Sequence, residues 1–278
     1  MELENRMTVR NAACMLIRDL IGERVGIHFD PNSLDLMMDK ISVLMAERGV
    51  DSPLDYYYFL KYEGDASGEW TNLVNAISVR ESYFWREIDQ IRALVDVLVP
   101  HFSETFIEPL KIWSAACASG EEPATIAMAL DQGQWLDRIP VEIHASDMSS
   151  AAICAAHRGI YREHAFRRMP SELRNRYFTP VSDGWEIEPE IRRRIAWRRA
   201  NLTDRSDIED LARSHVIFCR NVFIYFSEAT IREVVKLFGE FMPQPGYLFL
   251  GAAESLLKFT TQFHLEEIGG AFVYVKNE

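Results

Sequence analysis

The pattern of apolar and polar positions divides the chain into a helical first part and an alternating second part. Leu34, Met37, Ile41, Leu44 and Met45 recur at helical spacing, with Asp30-Pro31 as a start signal and Gly49 as a stop. Ser52-Pro53 opens another helix, with Leu54, Tyr57, Phe59 and Leu60 as its apolar candidates, and Gly64 to Gly68 breaks the pattern. Residues 1–75 therefore read as a small helical domain with its own core. Residues 76–100 follow as a helical linker, in which Tyr83, Phe84 and Trp85 are candidates for burial beside Arg80 and Arg86.

From Leu110 onward, strands and helices alternate. Ile112 to Ala115, Val141 to Ala145, Val216 to Cys219 and Tyr247 to Gly251 read as strands, and a helix is expected from Ser149 to about Ala156. Such alternation predicts an α/β domain over 101–278, with a mostly parallel sheet covered by helices on both faces. The end differs. Gln262 to Glu266 and Phe272 to Lys276 form an antiparallel hairpin through Gly269-Gly270. Residues 165–200 read as a small β-insertion, with Trp185-Glu-Ile-Glu and Ile195-Ala-Trp-Arg as short strands and Asp183-Gly184 as a turn.

Composition changes this picture little. The chain has 278 residues, 48% hydrophobic and 26% charged, which is ordinary for a globular protein. Its net charge of −12 argues against broad nucleic-acid binding. The strongest basic region is Arg167, Arg168, Arg192, Arg193, Arg194, Arg198 and Arg199, most of which read as a solvated face. Cys14, Cys117, Cys154 and Cys219 are scattered among apolar residues, so reduced thiols are expected, and the histidines have no metal-ligand spacing. No apolar run reaches the length of a membrane span, and the charged N-terminus does not resemble a signal peptide. A cytoplasmic monomer, with no metal and no membrane insertion, is the expectation.

The candidate chemistry centres on Lys111-Ile-Trp-Ser-Ala-Ala-Cys-Ala-Ser-Gly-Glu-Glu-Pro123. An apolar strand runs into small residues and then into an acidic, proline-containing helix start, the layout of a nucleotide-binding α/β unit. It lacks the Gly-x-Gly-x-x-Gly spacing, so alone it identifies no ligand. Ligands of open parallel sheets sit beyond the carboxyl ends of the strands. Three features fall there. The turn at Ala116 lets a ligand approach the backbone, Asp147 can accept from ribose hydroxyls, and Arg220-Asn221 with Tyr225 follows another strand. Together they favour a bound nucleoside.

Four stretches carry a resemblance: Trp113 to Pro123, Ser146-Asp147 with Arg158-Gly-Ile-Tyr161, Ile217-Phe-Cys-Arg-Asn-Val-Phe-Ile-Tyr-Phe226, and Gly246-Tyr-Leu-Phe-Leu-Gly-Ala-Ala-Glu-Ser255. With these the chain resembles the chemotaxis receptor glutamate O-methyltransferases, the CheR family, over essentially its whole length. The resemblance implies a Rossmann-like class I methyltransferase sheet with an antiparallel last strand, an N-terminal helical domain and a small inserted β-subdomain. It implies S-adenosylmethionine as cofactor, S-adenosylhomocysteine as product, and the cytoplasmic helical region of chemoreceptors or receptor-like signalling proteins as partner.

The family's Asn-x-Thr-x-Phe-Phe-Arg motif corresponds to Arg80-Glu-Ser-Tyr-Phe-Trp-Arg86. Arg86 then matches an arginine near the methionine part of the cofactor and the incoming carboxylate, Ser82 stands for the threonine, and Arg80 replaces the asparagine. The resemblance further implies cofactor contacts from Ala116, from Glu122 with Glu121 as the alternative, from Asp147 to ribose, from Asn201-Leu202 beside adenine, and from Arg220-Asn221. Tyr225 matches a tyrosine near the transferring methyl. In the family the second helix is usually basic. Here Asp35, Asp39 and Glu47 stand beside Lys40 and Arg48. The turn Thr179 to Gly184 is short and lacks Gly-x-Gly, which predicts no tethering to a receptor pentapeptide. Two other readings stay open: the same fold acting on nucleic acid or a small molecule, and a cofactor-binding protein without activity.

Overall fold

The computed structural model describes residues 2–30, 34–105 and 108–277, with side chains from residue 11 onward. The chain divides into two compact units, Met1–Val79 with Tyr225–Thr230, and Arg80–Ile224 with Ile231–Glu278.

The first unit holds α1 (Glu2–Val25), α2 (Leu34–Arg48), α3 (Pro53–Tyr62) and α4 (Glu69–Ile77). Its core takes Ile17 and Ile21 from α1, Met37, Ile41, Leu44 and Met45 from α2, Tyr56 and Leu60 from α3, and Leu73 from α4. Ser52 caps α3 by accepting from the Asp55 amide, and Pro53 occupies the first turn, where its missing N–H costs nothing. Gly49 ends α2 at φ 67°. Tyr56, not Tyr57, is the buried tyrosine of α3. Its hydroxyl donates to the buried Glu69 at 2.9 Å, and Arg48 pairs with the same carboxylate at 2.9 Å. That three-way contact rewards one register of the helix over its neighbour. Of the expected Asp30-Pro31 start signal, Pro31 lies outside the described residues.

The second unit opens with Arg80 to Tyr83, which is not helical, and a turn through Phe84 to Glu87. The helix expected throughout 76–100 begins only with α5 (Ile88–Arg92), which continues through a π-helical turn, Ala93–Leu98, into α6 (Val99–Thr105). Long-range partners win over helical propensity here. The Phe84 amide donates to the Ala165 carbonyl, and its ring packs among Tyr161, Phe166 and Phe178. Trp85 and Glu87 lie at positive φ, which breaks any continuous helix.

The main sheet comprises β1 (Leu110–Ala115), β2 (Val141–Asp147), β6 (Ile195–Arg199), β7 (Val216–Phe218), β8 (Tyr247–Phe249), β9 (Phe263–Ile268) and β10 (Ala271–Lys276). The order is β6-β2-β1-β7-β8-β10-β9. β2, β1, β6, β7 and β8 pair in parallel, and β10 runs antiparallel between β8 and β9. This is the mostly parallel sheet with an antiparallel last strand that the sequence predicts. The order of strands reverses at β1, which has β2 on one side and β7 on the other. That reversal opens a crevice beyond their carboxyl ends. The helices of the wrap are α7 (Glu121–Gln132), α8 (Ser150–Arg158), α11 (Arg205–Ala212) and α12 (Glu228–Phe241).

A second, three-stranded sheet is built from β3 (Ile160–Tyr161), β4 (Phe178–Val181) and β5 (Gly184–Ile187), with α9 (Ser171–Tyr177) before it and α10 (Pro189–Arg193) after it. Ile195-Ala-Trp-Arg, grouped with the insertion from its alternation, instead forms the edge strand of the main sheet, paired in parallel with Ile143 to Asp147. A half-buried edge strand alternates in the same way as a strand of a small satellite sheet, so the pattern alone does not distinguish them.

Candidate functional site

The strand β1 ends in a loop that reverses direction repeatedly. Ala116, Ala118 and Gly120 have φ of 59°, 49° and 92°. Left-handed backbone at two alanines carries a steric cost, so the surrounding contacts must hold it. They do. The Cys117 amide donates to the Ser146 carbonyl at 2.8 Å, the Ala118 amide to Asp147 Oδ2 at 2.9 Å, and the Gly120 amide to the Cys117 carbonyl at 2.9 Å. A Cβ on Gly120 would stand 2.7 Å from the Trp197 ring, so only glycine fits that position.

Asp147 ends β2 and is buried. Its Oδ1 accepts from the Ser149 amide at 2.8 Å while Oδ2 holds the Ala118 amide. Each oxygen keeps a further lone pair. Burial pushes its pKa up, and the two amides and the nearby charge of Arg80 oppose that. Ser149, not Asp147, caps α8. The Asp147 carbonyl also accepts from the Ala200 amide at 3.1 Å, which brings the end of β6 and therefore Asn201 and Leu202 beside it. Leu202 is buried, and the Asn201 side chain closes a local turn by accepting from the Thr203 amide and hydroxyl.

The two glutamates that start α7 face different surroundings, because successive helical positions point about 100° apart. Glu122 Oε1 accepts from the Ser114 hydroxyl at 2.6 Å, and Oε2 pairs with Arg220 Nε at 2.6 Å. Glu122 is therefore committed to the fold. Glu121 is buried, with Oε1 accepting from the Ser119 hydroxyl at 3.1 Å and Oε2 without any partner. Burial raises its pKa, while Ser119, Ser82 and the charge of Arg167 favour the ionised form. An unpartnered buried carboxylate oxygen is costly, and a cationic ligand at that point would offset the cost.

Arg220 is buried with its donors distributed over Glu122, Gln90 at 3.1 Å, the Glu87 carbonyl and the Arg86 carbonyl at 3.1 Å. Its side chain ties the end of β7 to the start of α7 and to the turn before α5. Arg86 itself is half-buried, meets Glu87 at 4.0 Å and lies over the Tyr83 ring at 5.5 Å. Asn221 follows β7 in the left-handed region at φ 58°, its amide donating to Glu254 Oε2 at 2.7 Å. Arg80, Ser82, Arg86, Ala116, Glu121, Glu122, Asp147, Asn201, Leu202, Arg220 and Asn221 all belong to the second unit. Tyr225 ends the short 3₁₀ turn Phe223–Tyr225 and groups with the first unit, where its carbonyl accepts from the His28 amide at 2.7 Å.

A buried carboxylate, a second one with spare lone pairs and a tightly turned backbone thus meet at the switch point of a parallel sheet. The profile of the CheR methyltransferase, SAM binding domain, matches residues 80–271, and that of the CheR methyltransferase, all-alpha domain, matches residues 14–78. The chain belongs to the CheR methyltransferase family. Its fold is that of the class I methyltransferases, and its cofactor is S-adenosylmethionine. Among relatives, it is 32% identical to chemotaxis protein methyltransferase 2 of Vibrio cholerae, over 98% of this chain and 95% of that one. It is 30% identical to chemotaxis protein methyltransferase 1 of Pseudomonas aeruginosa, over 96% of this chain and 99% of that one. A probable biofilm formation methyltransferase, WspC, of the same Pseudomonas species is 30% identical over 92% of this chain and 60% of its own length. Membership in the CheR family fits the residues present: the open oxygen of Glu121 suits a cationic group, and the remaining lone pairs of Asp147 suit hydroxyls.

Sequence reasoning placed the acidic contact on Glu122 with Glu121 as the alternative; both Glu122 oxygens are hydrogen-bonded within the fold, and the oxygen without such a bond is on Glu121. It assigned no role to Glu254, although Glu254 lies within the Gly246 to Ser255 stretch. It also left out Ser114 and Ser119, whose hydroxyls fix the two glutamates. A small polar residue inside an otherwise apolar strand was the available signal for Ser114. Among the described residues no cluster of His, Cys, Asp and Glu could hold a metal ion, and no helix is long and apolar enough to cross a membrane.

Proposed function

We propose that the protein methylates glutamate side chains of methyl-accepting chemotaxis receptors or receptor-like signalling proteins in the cytoplasm, acting as a monomer. The observation that carries the reading is the pairing of Glu121, with its buried open oxygen, and Asp147 at one sheet edge in a chain of this family. S-adenosylmethionine, when bound, supplies an electrophilic methyl on a sulfonium.

The chain's own residues then have four tasks. Glu121 holds a cationic group of the cofactor with Ser82 beside it, while Arg80 stands near Asp147. Asp147 accepts hydrogen bonds from hydroxyls, and Asn201 and Leu202 border the base. Ala116 and Asn221 contact the cofactor, and the loop from Ala116 to Gly120 closes the crevice against water. Arg86 neutralises and orients the incoming carboxylate, and Tyr225 fixes cofactor or substrate by a hydrogen bond. A glutamate side chain has an unperturbed pKa of about 4.3 and is already ionised at neutral pH, so no general base is required. Positioning is the main contribution, worth about 7 to 11 kcal/mol when the geometry is near attack.

The short hairpin turn between Val181 and Gly184 supports a pentapeptide-independent enzyme. A second reading, a receptor-like signalling target, draws on α2. Lys40 donates to the Ile77 carbonyl and Arg48 pairs with Glu69, so both basic groups are engaged within the helical unit while Asp35, Asp39 and Glu47 stay exposed. The deciding experiment is transfer of labelled methyl to membranes of the same cell. Base-labile label on a receptor-sized protein is expected. Base-stable label, or label on RNA, would overturn the proposal.

A further inference from the structure

The turn after β7 carries Asn221. Its anchor comes from a separate stretch of chain. Glu254 Oε2 accepts from the Asn221 amide at 2.7 Å and from the Gly251 amide at 2.8 Å, and Oε1 accepts from the Ile224 amide at 3.3 Å. No lysine or arginine pairs with Glu254 among the described residues. Its carboxylate is spent on backbone N–H groups, which are strong, directional partners for an anion. The turn it gathers is not one the chain adopts unaided, because Asn221 lies at φ 58°. Gly251 completes the arrangement. A Cβ there would overlap the Asn221 side-chain amide, so the end of β8 and the end of β7 approach as closely as the backbone permits.

We propose that Glu254 is a positioning residue of the cofactor site. Its carboxylate ties the turn from Asn221 to Ile224 to the end of β8 and thereby sets where the Asn221 side chain lies. The inference rests on the reading of Asn221 as a cofactor contact. Glutamine at 254 keeps the shape but presents an NH₂ to amides that need an acceptor, so one arm of the clamp is lost.

The test is S-adenosylhomocysteine binding by calorimetry to the full chain, in wild type, Glu254→Gln, Asn221→Ala and the double variant. Glu254→Gln is expected to weaken binding about ten-fold. In the Asn221→Ala background the same change is expected to cost less than about two-fold, because the group it positions is gone. Wild-type affinity in Glu254→Gln, or full additivity in the double variant, overturns the proposal while leaving the cofactor reading intact. A wild-type chain that binds no S-adenosylhomocysteine overturns both. Should Glu254→Gln fail to fold, Glu254→Asp takes its place, since its shorter side chain keeps the charge and withdraws the carboxylate from the Asn221 and Gly251 amides. The same ten-fold loss and the same non-additivity are expected, and their absence overturns the proposal.

Discussion

The carboxyl edge of β1, β2 and β7 and the arginine-rich strip from Arg192 to Arg199 both concentrate charge, and they use it in opposite ways. At the edge, Arg220 has a side chain only 3% exposed and is shared among a carboxylate, an amide and two carbonyls from two segments of chain. Along the strip, Arg193 pairs with Glu190 three residues away, Arg194 meets Asp137 at 3.9 Å and Arg198 meets Asp210 at 3.0 Å, all in contact with solvent. Charge density in the sequence is higher in the strip. Energetic and chemical consequence is expected at the edge, because removing a partner there strands a charge away from water.

The largest expected effect follows from that contrast. Arg220→Ala would leave Glu122 buried without its cation and the carbonyls of Arg86 and Glu87 without their donor, at a cost of about 3–5 kcal/mol in denaturant unfolding. A loss below about 1 kcal/mol would mean the edge behaves like the strip. Arg86→Ala sharpens the comparison from the chemical side. Its guanidinium has only a loose ion pair, so the fold should tolerate the change while turnover drops about 10²- to 10³-fold with S-adenosylhomocysteine affinity nearly kept. Unchanged turnover would remove Arg86 from the reaction. Gly120→Ala comes next. The added methyl meets the Trp197 ring in a left-handed backbone, for about 1–3 kcal/mol in the same unfolding measurement.

How much of this was legible in the sequence depends on the kind of contact. The main sheet was readable because its strands are apolar runs of strand length bounded by turn residues, and its antiparallel hairpin announced itself at Gly269-Gly270. Asp147 stood out as a candidate because it closes an apolar strand at the edge of a parallel sheet where ligands sit. Features fixed by distant partners were not. Ile195 to Arg199 has the alternation of any half-buried strand, and only its pairing with β2 assigns it to the main sheet. The aromatic run at Tyr83 to Trp85 reads as helix until Phe84 is seen inserted between Phe166 and Phe178. Glu121 and Glu122 are adjacent and identical in type. Arg220, 98 residues away, decides which of them has an oxygen left for a ligand. Resemblance to a family supplied most of the candidate site residues, and the structure adds the hydrogen bonds that each of them makes within the fold.

A smaller effect should come from pH. Burial holds the carboxyls of Glu121 and Asp147 above their ordinary pKa values. A carboxyl whose pKa is raised in the folded state binds protons more readily there than in the unfolded chain. Its ionisation therefore costs stability as pH rises through the raised value. A cationic ligand favours the ionised form and releases protons on binding. Affinity for S-adenosylmethionine should thus fall as pH is lowered from neutral through the raised carboxylate range, and Glu121→Gln should flatten that dependence. Calorimetry in buffers of different ionisation enthalpy measures the released protons directly. No proton release at mildly acidic pH would place the cationic group away from both carboxylates.

The smallest expected effect is on the strip, and it completes the comparison. Arg193 and Glu190 sit one helical turn apart in α10, with side chains 65% and 80% exposed. Water already solvates both ions, salt screens their attraction, and holding two long side chains together costs entropy. Arg193→Ala should change unfolding free energy by less than about 1 kcal/mol and methyl transfer by less than about two-fold. A much larger loss of transfer with unchanged stability would show that the strip meets the substrate. The rule separating buried from exposed charge in this protein would then hold for folding and not for function.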